Sequence, residues 1–393
     1  MSDRPPAPPP QLPAELLHNP HPHWKRGRSQ CPVEERQAFG AVSYQVLRRE
    51  DVEAALRDAE TFSSSINQRT MGPFMGKLLL AMDGHEHSQY RSLVSHAFRR
   101  SALERWEREL VRPLMNELVD AIAPLGRSDL VRDVTSQYPV KVIAGIVGVP
   151  VEDHARFHEW AEHISTGPLD PERGQAASRA MREYLEPLVE ARRQSPRQDL
   201  ISDLVRAEVD GERLDDEHIY GFLRLLMPAG AETTFRVMGN LLLALLSRPD
   251  ELARVRSDRT LVTRAIEETL RWETSVTMVN RVTTRDTEIA GCPVARDSSI
   301  ILLTSSANRD ASVYPDADSW QLDREIEPPH LAFGWGRHLC LGMHLARLEL
   351  SVGLGTLLDR LPGLRLDPEE ELPEIAGYAF RGPERLPVVF EPA

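Results

Sequence analysis

The stretch Phe333–Gly342, FGWGRHLCLG, sets one cysteine in a turn with three glycines, directly before the helical run MHLARLELSVGLGTLL. Glycine reaches backbone conformations that other residues resist and lets backbone come close; Gly334, Gly336 and Gly342 are read in that role. Such a turn can aim backbone N–H groups at the Cys340 sulfur, and the N-terminus of the next helix adds partial positive charge. Two readings of Cys340 follow. It is a thiolate held for a metal cofactor, or it is an ordinary buried free cysteine.

With 393 residues, 41% of them hydrophobic, the chain can bury a large core and enclose a cofactor. Its net charge of −13 argues against nucleic acid as a partner. Cys31, Cys292 and Cys340 are odd in number and far apart, so no disulfide framework is expected. No secretory leader pattern is visible, and the apolar runs are short or broken by charge. A cytoplasmic protein without a membrane span is expected.

Residues 1–23 are dense in proline and read as a flexible tail. His18, His21 and His23 could hold a metal there, but a solvated tail is the expectation. Residues 24–393 read as a single domain, mainly α with small β-sheets. Ser101–Ala123 carries apolar residues at three- and four-residue steps. So does Asp215–Ser247, a helix of about nine turns at 3.6 residues per turn. Strand-like runs are few, short and mostly C-terminal: Val276–Thr283, Asp297–Ser305 and Leu386–Phe390.

The centre of the long helix reads Pro228-Ala229-Gly230-Ala231-Glu232-Thr233-Thr234. Proline removes a ladder N–H and crowds the preceding turn, and glycine weakens the helix further. An interruption followed by an acid and two hydroxyls fits a groove where a small molecule meets a proton relay. A kinked core helix, with its threonines bonded back to the preceding turn, fits as well. Glu268 and Arg271 share a helix face and can pair, although such pairs are common on surfaces. His87 and Arg91, four apart, are placed to grip an anion. The run His85-Glu86-His87 is not HExxH, so a zinc-protease helix is not supported.

In their order and spacing, these four signals resemble the cytochrome P450 family of haem-thiolate monooxygenases. The resemblance runs from about Trp24 to the C-terminus and is closest to soluble bacterial members. Phe333–Gly342 resembles the family's haem loop, AGAETT its oxygen-groove helix, and Glu268-Thr269-Leu270-Arg271 its Glu-x-x-Arg pair. Ser306–Arg324 resembles the segment leading into the loop. The fold implied is a helix-rich triangular prism with a small β domain, and the cofactor implied is haem b. No Cys-x-x-Cys-His occurs, so covalent attachment is not expected.

The resemblance implies roles residue by residue. Cys340 matches the axial iron ligand, whose thiolate favours O–O cleavage. Glu232 and Thr233 match the acid and alcohol that deliver protons. Ala229 and Gly230 match the small residues that leave room for dioxygen. His87, Arg91, Arg281 and His338 match positions at the haem propionates, and Phe333, Gly334 and Gly342 shape the loop against the haem. Glu268, Arg271 and Arg324 match a buried structural triad. Trp335 and Arg337 depart from the commonest residues of that loop, and Arg337 adds positive charge on the thiolate side.

The implied reaction inserts one oxygen atom of O2 into a hydrophobic small molecule, and the other leaves as water. No flavin or iron–sulfur motif is present, so the electrons are expected from a separate ferredoxin or flavodoxin with its reductase. Arg99, Arg100, Arg108 and Arg112 form a basic docking face, or simply the solvated side of an amphipathic helix. The substrate pocket implied draws on Phe62 to Leu80 and on Leu225, Pro228, Thr277, Val279, Ala379 and Phe380. Arg224 could meet a substrate carboxylate, or reach the surface or a structural acid. A monomer is expected. A peroxygenase of the same fold and a non-catalytic haem sensor are the alternatives. Both have less need of the Glu232-Thr233 pair.

Overall fold

The long helix runs unbroken from Asp216 to Leu246 in the structure, a computed structural model that describes residues 13–38, 41–168 and 170–392. The Asp215 side chain caps it, accepting from the His218 N–H at 2.9 Å, and Asp216 and Glu217 complement the first turn. From Val237 to Leu246 every residue is buried. The interruption expected at Pro228 is not a break. A proline removes one ladder bond, to the Arg224 carbonyl, and packing against neighbouring helices keeps the turns in line. One such neighbour, Tyr138–Val147, presses against the long helix at Gly230.

The apolar run Ser101–Ala123 forms a helical path from Arg100 to Ile122, with a wider π turn at Glu107–Val111. Pro113 has no N–H for the Glu109 carbonyl, and the wider turn absorbs that mismatch.

The largest sheet has five short strands, in the order Val33–Ala38, Ala41–Val46, Ser299–Leu302, Val279–Thr283 and Phe62–Ser63. Ala41–Val46 and Ser299–Leu302 are parallel, and the other neighbours are antiparallel. Three C-terminal strands, including Pro387–Val389, fall inside the expected runs. The antiparallel pair Val33–Ala38 and Ala41–Val46 was not expected in the N-terminal half. Its inward face carries polar side chains, which hide the alternation, and Gln45 is buried because its amide donates to the Tyr378 hydroxyl at 2.8 Å.

Residues 13–23 are not a flexible tail. Ala14–His18 and His21–Gln30 are helical, His21 is 6% exposed and Trp24 is fully buried. The His21 ring lies 3.0 Å from Glu273, which also accepts from Arg309 at 2.9 Å and Arg381 at 2.7 Å. His23 pairs with Glu34 and His18 with Glu374, so the three histidines go to three different acids. The remainder of the expected tail, residues 1–12, lies outside the described residues. No helix among the described residues is long and apolar enough to cross a membrane.

Candidate active site

The loop around Cys340 is built by two left-handed glycines, Gly334 and Gly336, both at φ 71°. A Cβ on Gly336 would meet the Leu56 carbonyl at 2.8 Å, so the helix Arg49–Arg57 seats the loop. Arg57 lies over the Trp335 ring, which accounts for a tryptophan there. Gly342 differs from expectation: its φ is −85°, open to other residues. The Gly334 N–H donates to Leu331 and the Cys340 N–H to Phe333 O, both near 3 Å. These bonds turn the chain so that the sulfur faces the N–H groups of Gly342 and Met343, where the helix Met343–Arg360 begins.

Burial pushes the Cys340 thiol up, while those two N–H groups, Arg91 and Arg347 pull it down. Protein packs closely around the sulfur, yet the residue is open to a water-sized sphere. It therefore borders a space inside the protein. Arg91 donates to the Leu339 carbonyl at 2.5 Å. Arg347 is paired with Glu267 and lies over Phe333.

Close to this loop, several nitrogen groups lack acidic partners. His87 is buried, its Nε2 has no partner among the described residues, and its ring lies 4.2 Å from that of His338. Burial, with His338 and Arg91 nearby, brings the His87 imidazole down to about 4, so it is neutral at pH 7. Arg281 is 4% exposed and, among the described residues, bonds only the Asn280 carbonyl. Burial brings it down to about 10, so it remains charged. Arg91 and Arg281 form no ion pair among the described residues. His338 is partly committed: its Nε2 lies 3.0 Å from Ser64 Oγ and 3.8 Å from Asp83. Sequence reasoning missed Ser64 and Asp83, which lie more than 250 residues away. A thiol, two unpaired arginines and an orphaned imidazole nitrogen fit an enclosed group with carboxylates and a thiol-binding metal. Haem b has both.

On the long helix, Ala229 is exposed although the flanking residues are partly or fully buried. The Thr233 hydroxyl donates to the Ala229 carbonyl at 2.7 Å, and Glu232 pairs with Arg236 at 2.6 Å. Arg236 was not anticipated. Gly230 has a packing reason for its size: a Cβ there would meet Ile143 Cδ1 at 2.6 Å.

The expected triad is present. Glu268 takes a bidentate bond from Arg271, both arms 2.7 Å, and a third from Arg324 at 3.0 Å. Arg271 also donates to the carbonyls of Asn308, Ala317 and Ser319. The Asn308 side chain accepts from the Leu331 N–H at 2.6 Å. The triad thus reaches the cysteine loop through one asparagine.

The expected pocket residues divide. Leu225, Pro228 and Val279 are half-buried, Ala379 is exposed and Phe380 is 42% exposed. Thr277 is fully buried, and its hydroxyl donates to Tyr378 and Ala379 carbonyls. It anchors the 378–380 loop and does not line a pocket. Within Phe62 to Leu80, the side chains of Phe62, Phe74, Met75 and Leu78 are core. The Phe74 ring packs against Gly167 and Gly174, where the helices His154–Thr166 and Pro171–Gln194 meet.

The cytochrome P450 family model matches residues 170–376. Nocardicin C N-oxygenase of Nocardia uniformis subsp. tsuyamanensis is 37% identical over 384 residues, covering 94% of this chain and 95% of that protein. Mycinamicin IV hydroxylase/epoxidase of Micromonospora griseorubida is 38% identical over 365 residues, 90% and 91% of the two chains. A cytochrome P450 from Chondromyces apiculatus superposes with a TM-score of 0.89 at 32% identity over 97% of each chain. One from Bacillus megaterium, in complex with testosterone, gives 0.85 at 31% identity over 94% and 99%. The chain belongs to the cytochrome P450 family. It is a haem-thiolate monooxygenase with haem b as its cofactor.

Proposed function

We propose that Cys340 is the axial ligand and that His87, Arg91, Arg281 and His338 receive the propionates. We further propose that Glu232 and Thr233 deliver protons during oxygen insertion into a hydrophobic small molecule. The carrying observation is that buried His87 and Arg281 have no acidic partner among the described residues, beside a cysteine whose sulfur faces two backbone N–H groups. When bound, haem supplies the redox chemistry that activates dioxygen.

The protein's part is positioning and proton supply. The N–H groups of Gly342 and Met343 favour the thiolate. The Thr233 hydroxyl, by donating to Ala229, keeps its lone pairs free to accept. Glu232 and Arg236 are 29% and 24% exposed in their side chains, so the carboxylate can exchange protons with solvent.

The electron donor proposed is a separate ferredoxin or flavodoxin, acting on a monomer in the cytoplasm. Arg100, Arg108 and Arg112 are paired with Glu104, Glu109 and Glu107, so they add little net charge. A cleft of about 620 Å³ that includes His96, Arg91, Arg99 and Arg337 is the better docking centre. Those three arginines form no ion pair among the described residues. The relatives' nocardicin C and mycinamicin IV and the neighbour's testosterone are unlike one another, so they select no substrate.

The reduced protein with CO is expected to show a Soret band far to the red of a histidine-ligated haem. Cys340→His abolishes it, whereas Cys31→Ser and Cys292→Ser keep it; the reverse pattern overturns the assignment. Optical titration against a diverse compound library then identifies the substrate class by the shift toward high-spin iron.

A further inference from the structure

Arg224 sits on the long helix just before Leu225 and four residues before Pro228. It is 6% exposed, so it does not reach the surface. It forms no ion pair among the described residues, so it does not meet a structural acid either. The acid that acts on it, Glu217, is engaged with Arg182 at 2.7 Å, and Arg182 itself repels it.

Arg224 Nε donates to the Tyr220 carbonyl at 3.2 Å, and Nη1 donates to Ser178 Oγ at 2.9 Å. Nη2 has no hydrogen-bond partner among the described residues. It faces Gly76, at φ 83°, where a Cβ would sit 3.0 Å from it and fill its approach. Burial lowers Arg224, yet a guanidinium stays charged at neutral pH. A buried charge is costly without an ionic partner. The nitrogen therefore lies where three elements meet: the long helix, the helix Pro171–Gln194 through Ser178, and the segment containing Phe74 through Gly76.

We propose that Arg224 and Ser178 bind the carboxylate of a hydrophobic substrate and so make Arg224 a specificity-determining residue. Nη2 donates to one carboxylate oxygen. The Ser178 hydroxyl, which accepts from Nη1, donates its own hydrogen to the other. Anchoring one end of an apolar molecule limits which of its carbons can reach the haem. This inference rests on the monooxygenase reading and names the substrate class for it.

The test compares dodecanoic acid, 4-phenylbutyric acid and deoxycholic acid, each with its methyl ester. Affinities are read by equilibrium dialysis, which needs no haem signal, and the reduced CO band is recorded on the same samples. Loss of that band counts against the monooxygenase reading alone. At least one acid is expected to bind about 10- to 100-fold more tightly than its ester. Arg224→Gln removes that preference and leaves ester affinity unchanged, while Arg224→Lys keeps part of it. If no acid binds more tightly than its ester, or if the preference survives Arg224→Gln, the inference is overturned. Should Arg224→Gln not fold, Ser178→Ala decides. A fall of about threefold or more in acid affinity alone supports the site, and no change overturns it.

Discussion

The Glu232 carboxylate is held at 2.6 Å by the Arg236 guanidinium, one turn farther along the same helix. Between them, Thr233 turns back to the Ala229 carbonyl. The acid and the alcohol are thus each tied to a different part of the helix, and the proposed proton delivery would run between two anchored groups. Thr233→Ala should keep haem content and substrate affinity but release more electrons as hydrogen peroxide, measured as peroxide formed per NAD(P)H consumed. Glu232→Gln should slow oxygen activation roughly 10²–10⁴-fold with a larger solvent isotope effect. Arg236→Gln keeps the acid and loses only its anchor, so its loss in the same assay should be smaller.

Glu268 neutralises two buried arginines. Glu268→Ala leaves both without a counter-charge and frees the segment that leads through Asn308 to Leu331. The expected cost is roughly 3–5 kcal/mol, read by chemical denaturation, with haem content falling in parallel.

His21 gives the fold a dependence on acid. Burial, then the nearby arginines, brings its imidazole from 6.5 to about 4 against the pull of Glu273. Burial alone would push Glu273 up, but the surrounding cations hold it well below the usual carboxylate range. With its imidazole brought down to about 4, His21 is neutral in the folded protein at pH 7. The unfolded chain takes up the His21 proton below pH 6.5 and the folded chain only near pH 4. Stability is therefore lost as pH falls from 6.5 to 4, by roughly 3 kcal/mol at most. His21→Gln should flatten melting temperature against pH across that window. An unchanged slope would show that another group is responsible.

Phe74 ties the segment before Gly76 to the junction of two helices at Gly167 and Gly174. Phe74→Ala should cost roughly 3–5 kcal/mol. Hydrogen exchange should quicken at both 72–80 and 163–175, and ligand release should accelerate in stopped-flow spectra. Acceleration at only one of the two segments would mean that the ring does not couple them.

Arg99→Glu and Arg337→Glu should each slow reduction by an acidic ferredoxin about tenfold at low salt. Arg100→Glu or Arg108→Glu should change it less, because neither residue lines the cleft where Arg99 and Arg337 lie. The difference between the two sets should shrink as salt rises, since exposed charges are screened within about 8–10 Å.

Much of this was legible in the order of residues. The glycine turn with its cysteine, the long helix and the Glu268–Arg271 pair all lie within short stretches. Local backbone preference and helical spacing act over that range. The same reach explains why the sequence pointed Arg224 to the surface or a structural acid, whereas the fold buries it with no ion pair among the described residues. Only the folded chain puts His21 on Glu273, 252 residues away, and Ser64 on His338, 274 residues away. Only packing made Gly230 a contact for Ile143 and turned Thr277 inward to anchor a loop. A residue's own neighbours set its backbone. Its side-chain partners, and therefore its charge and its role, are set by whatever the fold packs against it.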